Sequence, residues 1–258
     1  MAETTVDAIR EAARELIATA GITAPPVDLA AVAGLQGITK IGERKMRSTL
    51  GTLREGRNGL TVTLNKREPF RARFTLAHEI GHTMVDPPDR DASTVLLATR
   101  KPRRKDDLER LCDQIAVELL MPYELFLAAL GPGPLAIADV FRLARLFDAS
   151  LQSTALRAGE LALEPVEVVC WQRDGVDGIR PGARRGHEFL AAPATEANRH
   201  LDDGTPVARA FTSKDTERGR DIGDLYDCEA RGFLRGSARF VISIARPARI
   251  NRTGQLAS

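Results

Sequence analysis

Two of the four histidines in this chain lie four residues apart, in the run His78-Glu79-Ile80-Gly81-His82. On a helix, residues four apart share one face, so both imidazoles can bind one metal ion. Glu79 follows the first histidine directly and can accept a proton from water at that ion. This H-E-x-x-H arrangement is typical of zinc metalloproteases. The alternative is an amphipathic helix whose histidines make ordinary hydrogen bonds, because so short a motif also occurs by chance.

The motif lies inside a predicted helix of about four turns. Pro69 suits the first turn of this helix, and Asp86-Pro87-Pro88 ends it. Gly81 costs helix stability, about 1 kcal/mol against alanine, which indicates that another element packs closely beside the histidines. Residues at helical spacing are predicted to form a buried stripe: Phe70, Phe74, Ala77 and Met84.

A second predicted helix supplies a candidate third ligand, which a catalytic zinc ion needs besides one open position. Asp106 and Asp107 favour the N-terminus of this helix, and Pro122 follows its end. Glu109 and Asp113 lie four residues apart and share one face. We predict that Glu109 binds the metal, and that Asp113 accepts the free ring N–H of a ligating histidine and fixes its tautomer. The alternative for both carboxylates is a solvated acidic face, and it stays open for Asp113.

Two separated motifs carry a resemblance to a known family. Residues 73–82 read R-F-T-L-A-H-E-I-G-H, and the later helix combines Glu109 and Ala116 with L-L-M-P at residues 119–122. This resembles the ImmA/IrrE family of bacterial metallopeptidases, which typically shows R-F-T-x-A-H-E-x-G-H and then E-x-x-A-N-x-F-A-x-x-L-L-M-P. The resemblance covers roughly residues 1–125 and implies Glu109 as the third ligand. The chain departs from the second motif at three positions, where alanine, asparagine and phenylalanine are usual: Cys112, Asp113 and Ile115.

The resemblance implies a zinc-dependent endopeptidase with Glu79 as its catalytic base. Manganese is a second candidate metal, because nitrogen and oxygen ligands accept either ion. The family resemblance also implies a protein substrate, a helix-turn-helix transcriptional repressor that is cleaved in a stress or DNA-damage response. Nucleic acid is a candidate activating signal, although the net charge of +2 does not indicate it. The residue that stabilises the oxyanion stays unassigned, with Tyr123 as a weak candidate.

The alternative from another functional class is a non-proteolytic regulatory protein that binds DNA or a repressor and holds a structural metal. Glu79 argues against it, because a structural site has no use for a base beside the first histidine.

The composition, 43% hydrophobic and 28% charged over 258 residues, is that of a soluble globular protein. No apolar stretch approaches the length of a membrane span, so we expect no membrane partner. The N-terminus lacks the pattern of a signal peptide, so we expect a cytoplasmic location. The three cysteines are far apart and form no C-x-x-C pair, which disfavours disulfides and a cysteine-rich zinc site.

The predicted fold class is α+β, with three regions. Residues 1–125 are predicted to form a zincin-like, mostly helical metallopeptidase domain with a small sheet, because Leu60–Leu64 alternates as a half-buried strand. Residues 126–162 are helical and similar to a helix-turn-helix, with Ser150 as the predicted cap of the second helix. That helix begins with a Gln-Ser-Thr run at 152–154 instead of Arg or Lys, so packing or protein docking is favoured over base readout.

Residues 163–258 are predicted to form a small α+β sensory or regulatory domain. Strands are predicted at 166–171 and 238–244, with helices near 192–201 and 204–211. A GAF-like fold for this region follows from analogy with the radiation-response members of the family, and not from a motif.

Overall fold

The structure is a computed structural model that describes residues 5–85, 104–174, 178–186, 204–221, 226–235 and 238–247. The chain divides into two compact units: residues 1–129 with 145–149, and residues 130–144 with 150–258. Helices are combined with two separate sheets, which confirms the α+β class. None of the helices in the described ranges has the length and apolar character needed to cross a membrane. The three-domain division, the helix-turn-helix and the GAF-like fold stay predictions.

The first unit contains a small sheet and the helices that carry the H-E-x-x-H motif and Glu109. Its elements in chain order are α1 (Thr5–Thr19), α2 (Leu29–Leu35), β1 (Ile38–Arg44), β2 (Gly51–Gly56), β3 (Gly59–Asn65), a 3-10 turn (Pro69–Arg71), α3 (Ala72–Val85), α4 (Lys105–Leu120) and most of α5 (Tyr123–Leu130). Helix α1 buries Ile9, Leu16 and Ile17 on one face. The carboxylate of Asp28 caps α2 by accepting a hydrogen bond from the backbone N–H of Ala30.

The sheet of the first unit has β3 at its centre. Strand β1 pairs with β3 in parallel, and β2 pairs with β3 antiparallel. Leu60, Val62 and Leu64 are buried, whereas Thr61 and Thr63 point to the opposite face and are half-buried. This confirms the strand predicted at 60–64. Strand β2 is an edge strand, and its outer backbone edge pairs with no strand in the described ranges.

Helices α3 and α4 pack against each other, and each contributes fully buried apolar side chains to the core, such as Ile80 and Ile115. Gly81 permits the close approach, because a Cβ atom there would lie 3.2 Å from the Cα atom of Cys112. The prediction for Phe70 was wrong: its side chain is 86% exposed, whereas Met84 is buried. The reason is local, since residues 69–71 form a 3-10 turn and the α-helical phase begins only after it.

The second unit is built around a five-stranded antiparallel sheet in the order β5-β4-β8-β7-β6. Its elements are most of α6 (Ile137–Leu146), α7 (Leu151–Leu161), β4 (Glu167–Asp174), β5 (Gly178–Gly186), α8 (Pro206–Ala210), β6 (Glu217–Asp221), β7 (Tyr226–Arg235) and β8 (Ala238–Pro247). The strands predicted at 166–171 and 238–244 are confirmed as β4 and β8. Helix α8 is shorter than the helix predicted at 204–211, and the helix predicted at 192–201 lies outside the described residues.

Helix α7 begins as predicted, because the Ser150 hydroxyl accepts a hydrogen bond from the backbone N–H of Ser153 at 3.1 Å. Thr154, in the first turn of α7, is fully buried, so its side chain packs inside the second unit.

The segment 145–149 belongs to the first unit, although the residues on both sides of it belong to the second. Phe147 is fully buried there and packs on Phe126, with the two ring centroids 5.1 Å apart. The carboxylate of Asp148 lies 3.2 Å from the guanidinium of Arg73 on α3.

Candidate metal centre

His78 and His82 on α3 converge with Glu109 on α4, and one ligand atom from each lies within 4.8 Å of the others. The Oε2 atom of Glu109 is 3.2 Å from Nε2 of His78 and 3.8 Å from Nε2 of His82. In a tetrahedral zinc site with bonds of about 2.0–2.1 Å, neighbouring ligand atoms lie about 3.3 Å apart. The two nitrogens and one oxygen therefore fit the three-ligand set of a catalytic metal.

The packing of α3 explains why these imidazoles are held in place. Ala77, Ile80 and Met84 are buried on the helix face that contacts the rest of the unit. His78 and His82 lie on the neighbouring face and are half-buried, so each side chain keeps part of its surface in contact with solvent. A rigid helix with a partly open site is what a catalytic metal centre requires.

Asp113 lies where it can orient one of the imidazoles. Its Oδ1 atom is 2.8 Å from Nδ1 of His78, so the ring donates its Nδ1–H and leaves Nε2 for a metal. Burial disfavours the charged imidazolium, but the hydrogen bond and negative charge of Asp113, with the charges of Glu79 and Glu109, outweigh it and raise the pKa of His78. Glu109 and Asp113 thus act on the same imidazole from opposite sides.

Glu79 is one of the few buried carboxylates of the described chain, with 7% of its surface exposed. Burial raises the pKa of Glu79 above its ordinary value, and the negative charge of Glu109 adds to this against the opposing effect of His78. A raised pKa suits a carboxylate that must take up a proton and release it again.

One residue that the sequence analysis did not assign to the site lies against this carboxylate. A Cβ atom at Gly51, the first residue of β2, would lie 2.7 Å from Oε1 of Glu79 and 2.4 Å from Cγ2 of Thr75. The absence of a side chain at Gly51 therefore makes room for the Glu79 carboxylate. A glycine at the start of a strand is the signal that could have identified it, because such a glycine often marks close approach of another group.

Cys112 lies beside the second histidine, with its Sγ atom 3.5 Å from Nδ1 of His82. Burial, together with the charges of Glu109, Asp113 and Glu79, raises the pKa of the Cys112 thiol to about 12. The thiol is therefore neutral at physiological pH, and it contacts the Nδ1 side of His82, whereas Nε2 faces Glu109. The sulfur is a neighbour of the candidate site, and the three-ligand set does not include it.

Tyr123, the weak candidate for the oxyanion partner, has a different described contact. The guanidinium of Arg10 lies over its ring, 4.4 Å from the ring centroid. The structure gives no reason to assign the oxyanion role to Tyr123, and the role stays unassigned.

Comparison with known proteins places the whole arrangement in a family. A family model of the IrrE N-terminal-like domain matches residues 39–158. A protein named radiation response metalloprotease IrrE, from Deinococcus deserti, is 31% identical over 214 residues, which are 79% of this chain and 73% of the relative. The chain belongs to the ImmA/IrrE family. A second protein of the same name, from Deinococcus radiodurans, is 33% identical over 132 residues, 50% of this chain and 38% of that relative.

A solved structure shows the same fold over a longer part of the chain. It is a Mycobacterium tuberculosis transcriptional regulator that aligns with 93% of this chain and 76% of its own chain, with a TM-score of 0.57 and 14% identity. The ImmA/IrrE match at 39–158 spans β1 to β3, α3 and α4, and so includes every candidate ligand. The five-stranded sheet begins at Glu167, beyond that match.

Proposed function

We propose that this protein is a metal-dependent endopeptidase with His78, His82 and Glu109 as metal ligands and Glu79 as the base. The observation that carries the proposal is that three ligand atoms converge within 4.8 Å while the next residue after His78 is a buried carboxylate of raised pKa. When bound, a zinc or manganese ion supplies Lewis acidity, which acidifies water and polarises a carbonyl group. A purely structural site would not need the carboxylate.

In this proposal, Glu79, Asp113 and strand β2 have different roles in peptide hydrolysis. The Glu79 carboxylate accepts the proton of the attacking water and passes it to the leaving amine. Asp113 keeps Nδ1 of His78 protonated, so that Nε2 faces the metal. Among the described residues, the outer backbone edge of strand β2 next to Glu79 pairs with no other strand, and an extended substrate can add there as a further strand.

We further propose a helix-turn-helix transcriptional repressor as the substrate, cleaved in a stress or DNA-damage response in the cytoplasm. Support comes from family membership, since the two relatives are named radiation response metalloproteases. Nucleic acid is a candidate for the signal that activates cleavage.

The test incubates the purified protein with candidate repressors in the presence of zinc or manganese and follows cleavage by gel electrophoresis and mass spectrometry. Wild type should cut one repressor at a defined bond, while Glu79→Gln should leave it intact at unchanged metal content. Glu124→Gln is the matched control, because it removes an exposed carboxylate on α5, and it should cut like wild type. Equal cleavage by wild type and Glu79→Gln would remove Glu79 as the base.

The ligand assignment has its own readout. Glu109→Ala should lower the metal content of the purified protein, measured by elemental analysis. Unchanged metal content in Glu109→Ala would remove this residue from the ligand set.

A further inference from the structure

Positive charge is concentrated in the segment that forms the small sheet of the first unit. Residues 38–71 contain nine Lys and Arg against three Glu, although the net charge of the whole chain is only +2. These residues include β1, β2 and β3. The segment therefore carries far more than its share of the positive charge, mostly in the residues that connect and follow the strands.

The register of the strands places part of this charge on one face. Thr61 of β3 pairs with Lys40 on one side and with Arg54 of β2 on the other. Paired residues point to the same face of a sheet, and this is the face opposite the buried Leu60 and Val62. We call it the cationic face, and it consists of Lys40, Thr52, Arg54, Thr61 and Thr63.

No carboxylate neutralises the cationic face within the described residues. Glu43 and Glu55 pair with Leu64 and Leu60, so they point to the other side of the sheet. Lys40 and Arg54 are exposed, and neither forms an ion pair with any residue that the structure describes. With respect to the described part of the chain, both cations are therefore available to an incoming negative group.

The edge strand β2 meets the candidate catalytic centre on one side of the sheet and carries Arg54 of the cationic face on the other. Gly51 of β2 lies against Glu79, and Arg54 is three residues further along the same edge strand. Three residues of a strand span about 10 Å. Successive side chains of an extended peptide point to opposite sides, so a peptide added to β2 would alternate between the α3 side and the cationic face.

We propose that Arg54 selects an acidic side chain of the substrate, about three residues from the scissile bond and on the cationic face. This inference rests on the proposed peptidase function and specifies its substrate. An acidic polypeptide fits better than nucleic acid, because the cationic face has threonines where a single-stranded nucleic acid site usually has aromatic side chains for stacking.

The first experiment measures binding without cleavage. Metal-loaded Glu79→Gln protein is titrated into fluorescein-labelled 12-residue peptides of alternating Thr-Asp, Thr-Asn or Thr-Lys, and anisotropy is recorded. An exposed ion pair contributes up to about 1 kcal/mol, so the Asp peptide should bind about fivefold more tightly than the Asn peptide. Adding Arg54→Glu should abolish this difference and favour the Lys peptide.

Arg57→Glu is the matched control, because it makes the same charge change at an exposed turn residue three positions away. It should keep the preference for Asp. Equal binding of the Asp and Asn peptides, or equal loss in Arg54→Glu and Arg57→Glu, would overturn the proposal. A third probe is a labelled 20-nucleotide single-stranded DNA. If Arg54→Glu weakens DNA binding and leaves the peptide preference unchanged, the cationic face binds nucleic acid and the proposal is wrong.

The second experiment uses the active protein on a peptide library prepared from a cell lysate, with cleaved bonds identified by mass spectrometry. Wild type should cut where Asp or Glu stands about three residues from the scissile bond, and Arg54→Glu should lose that enrichment. Cleavage without acidic enrichment would overturn the selection by Arg54. If the protein cuts no peptide but still binds the Asp peptide more tightly than the Asn peptide, the peptidase function is refuted and the selection by Arg54 is not.

Discussion

Substitution of Gly51 by alanine tests whether the base needs the space that the glycine leaves. The new Cβ atom would stand 2.7 Å from Oε1 of Glu79 and 2.4 Å from Cγ2 of Thr75. Ordinary contacts begin at 3.4 Å, so both groups must move away from their positions. Thr75 and Glu79 are both buried and neither moves freely, so the Glu79 carboxylate must take up part of the change.

The expected cost follows from the size of this displacement. The Oε1 atom must retreat from 2.7 Å to at least 3.4 Å, and a misplacement of about 1 Å in a catalytic group lowers the rate about 100-fold. That corresponds to about 2.7 kcal/mol of transition-state stabilisation. We expect the loss in kcat and little change in KM, because the base acts in the transition state and does not bind the substrate.

The assay compares kcat, KM, metal content and melting temperature of Gly51→Ala with those of Gly42→Ala. Gly42 lies in the same sheet, and a Cβ atom there would have nothing within 4 Å. Gly42→Ala should retain activity within about twofold and stability within about 0.5 kcal/mol. Activity of Gly51→Ala within twofold of wild type, or its loss of metal, would refute the reasoning that the glycine acts through Glu79.

Three further outcomes follow from the contacts around the site. Asp113→Ala should weaken metal binding about 10- to 100-fold in a chelator competition, and Asp113→Asn should let metal binding persist to lower pH, because the raised pKa of His78 falls. Without metal, Glu79→Gln should melt at a higher temperature than wild type. The pKa of Glu79 is higher in the folded protein than its unfolded value of 4.5, so wild type loses stability as the pH rises from 4.5 through the folded pKa. Equal melting temperatures of the two proteins across that pH range would contradict this prediction. Glu118→Ala should cost about 1–3 kcal/mol in urea unfolding, because the buried Glu118 carboxylate accepts the backbone N–H of Tyr123, and Glu118→Gln should keep most of it.

The convergence of the candidate ligands could be predicted because it depends on spacing within helices. Residues four apart on α3 present two imidazoles, and the same spacing on α4 presents Glu109 and Asp113 on one face. The spacing within each helix does not predict that α3 packs against α4. Gly81 indicated this packing, because a glycine inside a helix often marks close approach of another element.

Contacts between distant segments could not be predicted in this way. Gly51 reaches Glu79, and Cys112 reaches His82, because elements far apart in sequence pack together. The phase of α3 at Phe70 also escaped prediction, since helical periodicity does not distinguish a 3-10 turn from the first α-helical turn.

The five-stranded sheet of the second unit shows a limit of pattern reading. Strands β4 and β8 contain apolar runs, Val168-Val169 and Val241-Ile242, that identify them directly. Strands β5 and β6 contain glycines and charges among few apolar residues, and their strand conformation is stabilised by pairing with neighbours. Such strands depend on tertiary context more than on their own pattern.

Because residues 145–149 belong to the first unit, they limit where the chain can be truncated without destabilising that unit. A fragment that ends at residue 125 or 129 would lack Phe147, whose ring fills the core beside Phe126. Loss of so large a buried side chain costs about 3–5 kcal/mol, a large share of the stability of a typical domain. It would also remove Asp148, the ion-pair partner of Arg73 on the helix that carries the histidines. An N-terminal fragment that keeps these contacts around the candidate metal ligands must therefore extend to residue 149, and it then includes residues 130–144 of the second unit.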